Sequence, residues 1–104
     1  LEKIGPFFEN APIFPERVNT EFIRIISGAE LEMRVWERGS GETFACGTGA
    51  CAAVAAAVLN GHCKRGEGVT VKLKCGNLMI TYAENSHIYM RGAAEKVYDG
   101  VYEL

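Results

Sequence analysis

Residues 45–59, ACGTGACAAVAAAVL, give the clearest indication of the fold. This stretch is almost entirely small and apolar, it contains no charged residue, and it is followed by Asn60-Gly61. An Asn-Gly pair after an apolar run is typical of a helix C-terminus. Because the apolar residues of this predicted helix lie on every side, we expect it to be buried on every side. In a domain of 104 residues this requires one central helix surrounded by sheet.

Segments with strand character flank the predicted helix. Residues 20–27, TEFIRIIS, are rich in β-branched and aromatic side chains and predict a strand covered on both faces. Residues 31–38, LEMRVWER, alternate between apolar and polar and predict a half-buried antiparallel strand. An antiparallel meander is predicted for residues 69–74, 78–83 and 87–91, with a last strand near residues 94–98.

The fold class that follows is α+β, a curved and mostly antiparallel sheet of roughly six strands wrapped around one central buried helix. Residues 1–15 contain all three prolines of the chain. Since proline fixes φ and removes a backbone donor, this segment predicts a loop or an edge segment. Residues 1–104 are expected to form a single domain.

Composition excludes several classes of function. Eleven Lys+Arg against 13 Asp+Glu give a net charge of −2, which is not the charge of a protein that binds nucleic acid or an anionic membrane. A 48% apolar content argues against disorder, and no apolar run approaches the about 20 residues that span a bilayer. Without a signal-peptide pattern we expect a cytoplasmic protein. The chain starts at Leu1, so we expect that a preceding segment has been removed.

The four cysteines are separated by 5, 12 and 12 residues, and no CxxC pair is present. That spacing argues against a zinc site, and a cytoplasmic setting argues against disulfides. Cys46 stands apart from the other three because it lies where the loop becomes the helix. Unpaired N–H groups and the positive end of the helix dipole favour an anion there, and they also favour a thiolate. Gly47 and Gly49 leave those N–H groups accessible.

Other motifs are weaker taken alone. Residues 47–52 match G-x-G-x-x-A, a dinucleotide-binding pattern, but no strand directly precedes them and no acidic residue ends a second parallel strand. Glu37 and Arg38 end the second predicted strand, where opposite charges suit the ammonium and carboxylate of an amino acid. Asn19 precedes the first strand, a position that is usually a cap or a turn.

Three motifs together resemble the diaminopimelate epimerase family. They are FPERVNTEF at residues 14–22, MRVWERGSGET at residues 33–43, and ACGTGA at residues 45–50. The resemblance extends over nearly the whole chain. It implies a cytoplasmic isomerase that uses no pyridoxal phosphate, metal or other cofactor and inverts one stereocentre of LL-2,6-diaminopimelate, giving the meso isomer for lysine and peptidoglycan synthesis.

The resemblance also implies roles for individual residues. Two cysteines, one in each of two similar domains, act on opposite faces of the substrate α-carbon, and Cys46 matches the one in the C-terminal domain. Gly47 and Thr48 match the positions whose N–H groups hold the substrate carboxylate. Other contacts to the substrate are implied for Asn19, Glu37 and Arg38, with a carboxylate on Arg38 and an ammonium on Glu37.

This resemblance implies that the chain is the C-terminal catalytic half of a two-domain epimerase. An N-terminal domain with the second cysteine is absent, so we expect the chain alone to be inactive. We also consider a homodimer in which two copies pair through the surface left exposed by that absence. Two alternatives stay open at this stage: a non-catalytic anion-binding domain, and one half of a related isomerase of the proline racemase type.

Overall fold

The apolar stretch of the sequence forms the longest helix of the protein. The computed structural model describes residues 1–103, with two helices and six strands. The elements are α1 (Gly5–Glu9), β1 (Thr20–Ser27), β2 (Glu30–Glu37), β3 (Gly41–Thr43), α2 (Gly47–Leu59), β4 (Gly68–Leu73), β5 (Gly76–Tyr82) and β6 (Ile88–Gly92). β1 has the predicted bounds, and the bounds predicted for β2, α2, β4, β5 and β6 agree to within about two residues, the usual uncertainty of such boundaries.

All six strands belong to one sheet with the order β1-β2-β4-β5-β6, and β3 pairs with the end of β2. Every pair is antiparallel except β2–β4, in which Leu31 lies opposite Val71. A parallel pair needs a long crossover connection. Here α2 lies within that crossover and is therefore brought against one face of the sheet.

Every second residue of β2 contributes its side chain to the core. Leu31, Met33 and Val35 point toward α2 and are almost fully buried, whereas Arg34 points to the other face and is exposed. From α2 the core receives small side chains, which let the helix approach the sheet closely. The buried apolar residues are Leu31, Met33, Val35, Cys46, Ala50, Ala53, Val54, Ala57, Cys63, Val69, Val71 and Ile80.

The predicted fold class is confirmed, and the sheet is open. It covers one side of α2, the side that carries Ala50, Ala53, Val54 and Ala57. The expectation that α2 is buried on every side is wrong, because a stripe on its outer side is exposed to solvent: Thr48, Ala52, Ala56 and Leu59. Because the sheet is open, the side of α2 that faces away from it is not covered by another element within residues 1–103.

The expectation that β1 is covered on both faces is also wrong. Ile23, Ile25 and Ile26 are each about 40% exposed. β1 is an edge strand, paired only with β2, and only its first three residues are partly buried. Its high content of β-branched residues predicted the strand correctly but did not predict what covers it.

The N-terminal segment contains a short helix where a loop was predicted. Pro6 lies in the first turn of α1, where its missing N–H breaks no helical hydrogen bond. α1 packs on Trp36: a Cβ added to Gly5 would lie 2.1 Å from the indole ring. The Glu9 carboxylate accepts hydrogen bonds from Trp36 Nε1 at 2.8 Å and from the N–H of Gly39 at 2.9 Å, and these bonds lower the pKa of Glu9.

The prediction of a strand near residues 94–98 is wrong, since β6 ends at Gly92 and residues 93–103 have no regular secondary structure. The sixth strand is instead β3, which has only three residues and is too short for a periodic pattern to reveal. Within residues 1–103, neither helix is long and apolar enough to cross a membrane.

Candidate active site

Cys46 is the N-cap residue of α2. Its backbone is extended, with φ −148° and ψ 105°, and its Sγ accepts a hydrogen bond from the N–H of Gly49 at 3.4 Å. Thr48 Oγ1 lies 3.6 Å from the same sulfur. The residue is only 9% exposed, so the thiol lies at the start of the helix and at the edge of the core.

The first turn of α2 provides an electropositive surface next to this sulfur. The first helical hydrogen bond joins the N–H of Ala50 to the carbonyl of Cys46, and the N–H of Gly49 is directed at Sγ. The N–H groups of Gly47 and Thr48 therefore have no partner among the hydrogen bonds of the helix, and no acidic residue occupies the first turn. Thr48 is exposed, so an anion can reach these N–H groups from solvent.

Glu37 ends β2 on the face that carries Val35 and α2. Its Oε2 accepts a hydrogen bond from Thr43 Oγ1, so β3 holds this carboxylate in place. The carboxylate of Glu21 on β1 lies nearby. Partial burial raises the pKa of Glu21, and the negative charge of Glu37 raises it further.

Asn19 and Arg38 are joined at the end of the β1–β2 pair. Asn19 Oδ1 accepts a hydrogen bond from the backbone N–H of Arg38 at 2.7 Å, and Arg38 Nη1 donates to the carbonyl of Glu16 at 3.2 Å. The turn that follows requires φ of +77° at Gly39 and +75° at Gly41, a conformation that glycine adopts without strain. This turn directs the chain back into β3.

The predicted site residues thus form two groups. Cys46, Gly47 and Thr48 are together at the start of α2, and Asn19 and Arg38 are together beyond the end of β2. Glu37 lies on the helix-facing side of the sheet. No hydrogen bond among residues 1–103 joins the Asn19–Arg38 pair to Cys46.

Sequence reasoning missed Glu21 as a residue of this site. The sequence did contain a signal. Glu21, Ile23 and Ile25 are two positions apart and share one face of β1, so Glu21 places a charge on a face that is otherwise apolar. In the structure Glu21 lies opposite Val35, and its carboxylate contacts the first turn of α2 at Gly49.

The remaining cysteines differ from Cys46. All four are free thiols. Burial raises the pKa of Cys51 and of Cys63, and the nearby Cys46 raises that of Cys51 further. Cys75 is exposed in the turn between β4 and β5.

A cavity of about 550 Å³ lies on the other face of β2 and is lined partly by an ion-pair cluster. Arg34 Nη2 is 2.7 Å from Glu42 Oε2, and Lys74 also binds this carboxylate. These two cations lower the pKa of Glu42 to about 2. Since the charges in this cluster are paired with one another, the cluster stabilises the outer face of the sheet.

Fold and site together define a class: an α+β domain that places a cysteine thiol and free helix N–H groups at one end of a central helix. The fold is similar to that of a PhzF-family phenazine biosynthesis protein from Bacillus anthracis, with a TM-score of 0.61 over 86% of this chain and 29% of that one. Sequence identity to that protein is 23%, so the similarity concerns the fold alone.

The profile of the diaminopimelate epimerase family matches residues 1–97. Diaminopimelate epimerase from Bacillus cytotoxicus is 56% identical over 103 residues, which is 99% of this chain and 36% of that protein. The enzyme from Pelotomaculum thermopropionicum is 57% identical over 102 residues, 98% of this chain and 36% of that protein. The chain belongs to the diaminopimelate epimerase family, and it spans about a third of the length of these curated relatives.

Proposed function

We propose that this chain is the C-terminal catalytic part of a diaminopimelate epimerase and that Cys46 is one of its two acid–base thiols. One observation carries the proposal: the sulfur of Cys46 lies at the N-cap of α2, beside N–H groups that make no hydrogen bond within the helix. An acid–base group and an anion-binding group are thereby placed next to each other, as the abstraction of a proton beside a carboxylate requires.

The reaction follows from this placement. The Cys46 thiolate takes the α-proton and becomes a thiol, while the electron pair of the broken C–H bond spreads from the α-carbon into the substrate carboxylate. The N–H groups of Gly47 and Thr48 oppose the negative charge that develops there. A second thiol on the opposite face then donates a proton to the α-carbon, which inverts the stereocentre. In the reverse direction the two thiols exchange roles.

The other site residues bind the rest of the substrate. Arg38 holds a carboxylate through its planar guanidinium, and Glu37 holds an ammonium group. Hydrogen bonds support this assignment, because the carbonyl of Glu16 holds the guanidinium of Arg38 and the hydroxyl of Thr43 holds the carboxylate of Glu37 at the end of the β1–β2 pair. Asn19 fixes the backbone of Arg38. A preorganised site loses less free energy to ordering when the substrate binds.

The rest of the site comes from residues beyond these 104. A groove of about 230 Å³ between β1 and α2 is lined by Ile23, Ile25 and Ala56, and the outer side of α2 is exposed. The relatives are almost three times as long as this chain. Part of that additional length covers this apolar groove, and a second domain supplies the other cysteine. Where these parts are missing, the groove drives pairing of two copies, which light scattering detects as a mass that rises with concentration.

A chimera tests the function. The 103 matching residues of the Bacillus cytotoxicus enzyme are replaced with this chain, and exchange of the α-proton of diaminopimelate is followed by NMR in deuterated water. We expect exchange with the chimera and none with residues 1–104 alone, since excluding water and placing two thiols require both parts. In the chimera Cys46→Ala abolishes the conversion of LL- to meso-diaminopimelate, measured by circular dichroism as a loss of optical activity, because the remaining thiol can exchange a proton on its own face but cannot invert the stereocentre. Cys75→Ala, which removes an exposed cysteine, leaves the conversion unchanged.

Two results contradict the proposal. A Cys46→Ala chimera that still converts LL- to meso-diaminopimelate removes Cys46 from the reaction. A folded chimera that binds diaminopimelate without exchange supports a non-catalytic anion-binding domain instead. Proline serves as the comparison substrate, since exchange with proline alone assigns the chain to a related racemase.

A further inference from the structure

Glu21 places a carboxylate on the helix-facing side of β1. It lies opposite Val35, and paired residues of neighbouring strands share a face of the sheet. Val35 is 1% exposed and faces α2, so the side chain of Glu21 is also directed at the helix. The other residues of β1 with this orientation, Ile23 and Ile25, are apolar, so Glu21 is the charged residue on this face of the strand.

The carboxylate and the thiol meet at one backbone position of α2. A Cβ added to Gly49 would lie 2.7 Å from Glu21 Oε1 and 3.1 Å from Cys46 Sγ. The two atoms are therefore separated by no more than the sum of these distances. Glycine at position 49 leaves the space in which the carboxylate and the sulfur approach the same turn of the helix.

Within residues 1–103, no cation offsets the charge of this carboxylate. From β2 the neighbouring charge is that of Glu37, which is also negative and raises the pKa of Glu21. From β6 the side chain that faces Gly47 is the uncharged Met90. On α2 itself the titratable neighbour is the thiol of Cys51. The residues of β4 and β5 that pack in the core are Val69, Val71, Leu73, Leu78 and Ile80.

We propose that Glu21 is a positioning residue for Cys46: its carboxylate, held against Gly49, opposes the helix dipole and keeps the thiol protonated to a higher pH than the helix start alone allows. The consequence for catalysis rests on the proposed function. A two-thiol epimerase needs one thiolate and one thiol at the same time, and Glu21 favours the proton-donating form of Cys46. Gly49 takes part because any side chain there separates the two groups.

The test measures the ionisation of Cys46 directly and needs no substrate. The chain is prepared with ¹³C at cysteine Cβ, the Cys46 signal is assigned by comparison with Cys46→Ser, and its chemical shift is followed against pH. In Glu21→Gln the titration midpoint should fall by roughly one pH unit, the effect of removing one nearby negative charge in a partly screened setting. Glu21→Asp, which retains the charge, should retain most of the wild-type midpoint.

A charge control comes from the opposite face. Glu32 on β2 is bound to Arg24 at 3.1 Å and points away from α2, so Glu32→Gln should leave the Cys46 midpoint unchanged. Circular dichroism confirms that each variant is folded. The proposal is overturned if folded Glu21→Gln titrates at the wild-type midpoint, or if Glu32→Gln shifts it equally. Because proton exchange in the chimera is a separate measurement, failure of this proposal and failure of the proposed function are distinguishable.

Discussion

Cys46 occupies a position that serine would fill better if stability alone mattered. The N-cap side chain accepts a hydrogen bond from an N–H of the first turn, here from Gly49 across 3.4 Å, and sulfur is a weak acceptor. Serine is among the preferred N-cap residues, and replacing a good cap with alanine costs about 1 kcal/mol. The Oγ of a serine here also has Thr48 Oγ1 as a neighbour, so its polar atom is not left without a partner.

We therefore expect Cys46→Ser to be at least as stable as the wild type and about 1 kcal/mol more stable than Cys46→Ala. For a domain of this size that difference corresponds to roughly 4–8 °C in Tm. The alanine variant loses both the cap and the packing of a nearly buried sulfur, so it is the least stable of the three. Neither variant retains the thiol, so the stability of the N-cap is measured separately from the proposed catalytic role of this residue.

Urea unfolding followed by far-UV circular dichroism measures these free energies, and equal m values show that the unfolded states are comparable. Cys75 provides the control, because it is exposed and lies outside any helix, so its serine and alanine variants should unfold at the same urea concentration. If the serine and alanine variants of Cys46 are equally stable, the side chain does not cap α2. The assignment of the thiol to the helix start then fails.

Two further predictions concern the packing of α1 and the outer face of the sheet. In Gly5→Ala the added methyl group would lie 2.1 Å from the indole ring of Trp36, so the ring must move. We expect a loss of about 1–3 kcal/mol in unfolding free energy and a red shift of tryptophan emission. Gly28→Ala is the control, because position 28 has space for a methyl group, and it should change neither quantity. An unshifted emission would contradict the packing of α1 on this ring. The pKa of Glu42 falls from 4.5 to about 2 on folding, so its stabilisation is complete above pH 4.5 and is lost as the pH falls toward 2. Glu42→Gln should therefore reduce the slope of Tm against pH in that interval, and an unchanged slope would show that the pairing does not persist in solution.

The longer elements were predicted well. β1 and β2 each contain eight residues and were predicted from β-branched content and from alternation, respectively, and α2 has 13 residues with helix-forming alanines. The elements that were wrong or missed depend on tertiary contacts. α1 has five residues and is held by Trp36, and β3 has three and exists through its pairing with β2. Neither would be stable alone.

The site shows the same division. Cys46, Gly47 and Thr48 are adjacent in sequence, so one motif predicted their arrangement at the helix start. Glu21 is 25 positions from Cys46, and its alternation on β1 was visible, but the approach of β1 to α2 was not. A strand pattern indicates which residues share a face without indicating what that face contacts.

Local sequence patterns were enough to predict the long helix, most of the strands and the thiol at the helix start, because these features depend on neighbours within a few positions along the chain. Three features became apparent only in the folded molecule: the sheet is open, one side of α2 is exposed, and a carboxylate from β1 reaches the turn that carries the thiol. The physical reason is that coverage and approach are set by which elements pack together in space. The hydrophobic effect is not directional, so an apolar face is stabilised by packing against any other apolar surface. The pattern of one segment therefore does not specify which element packs against it.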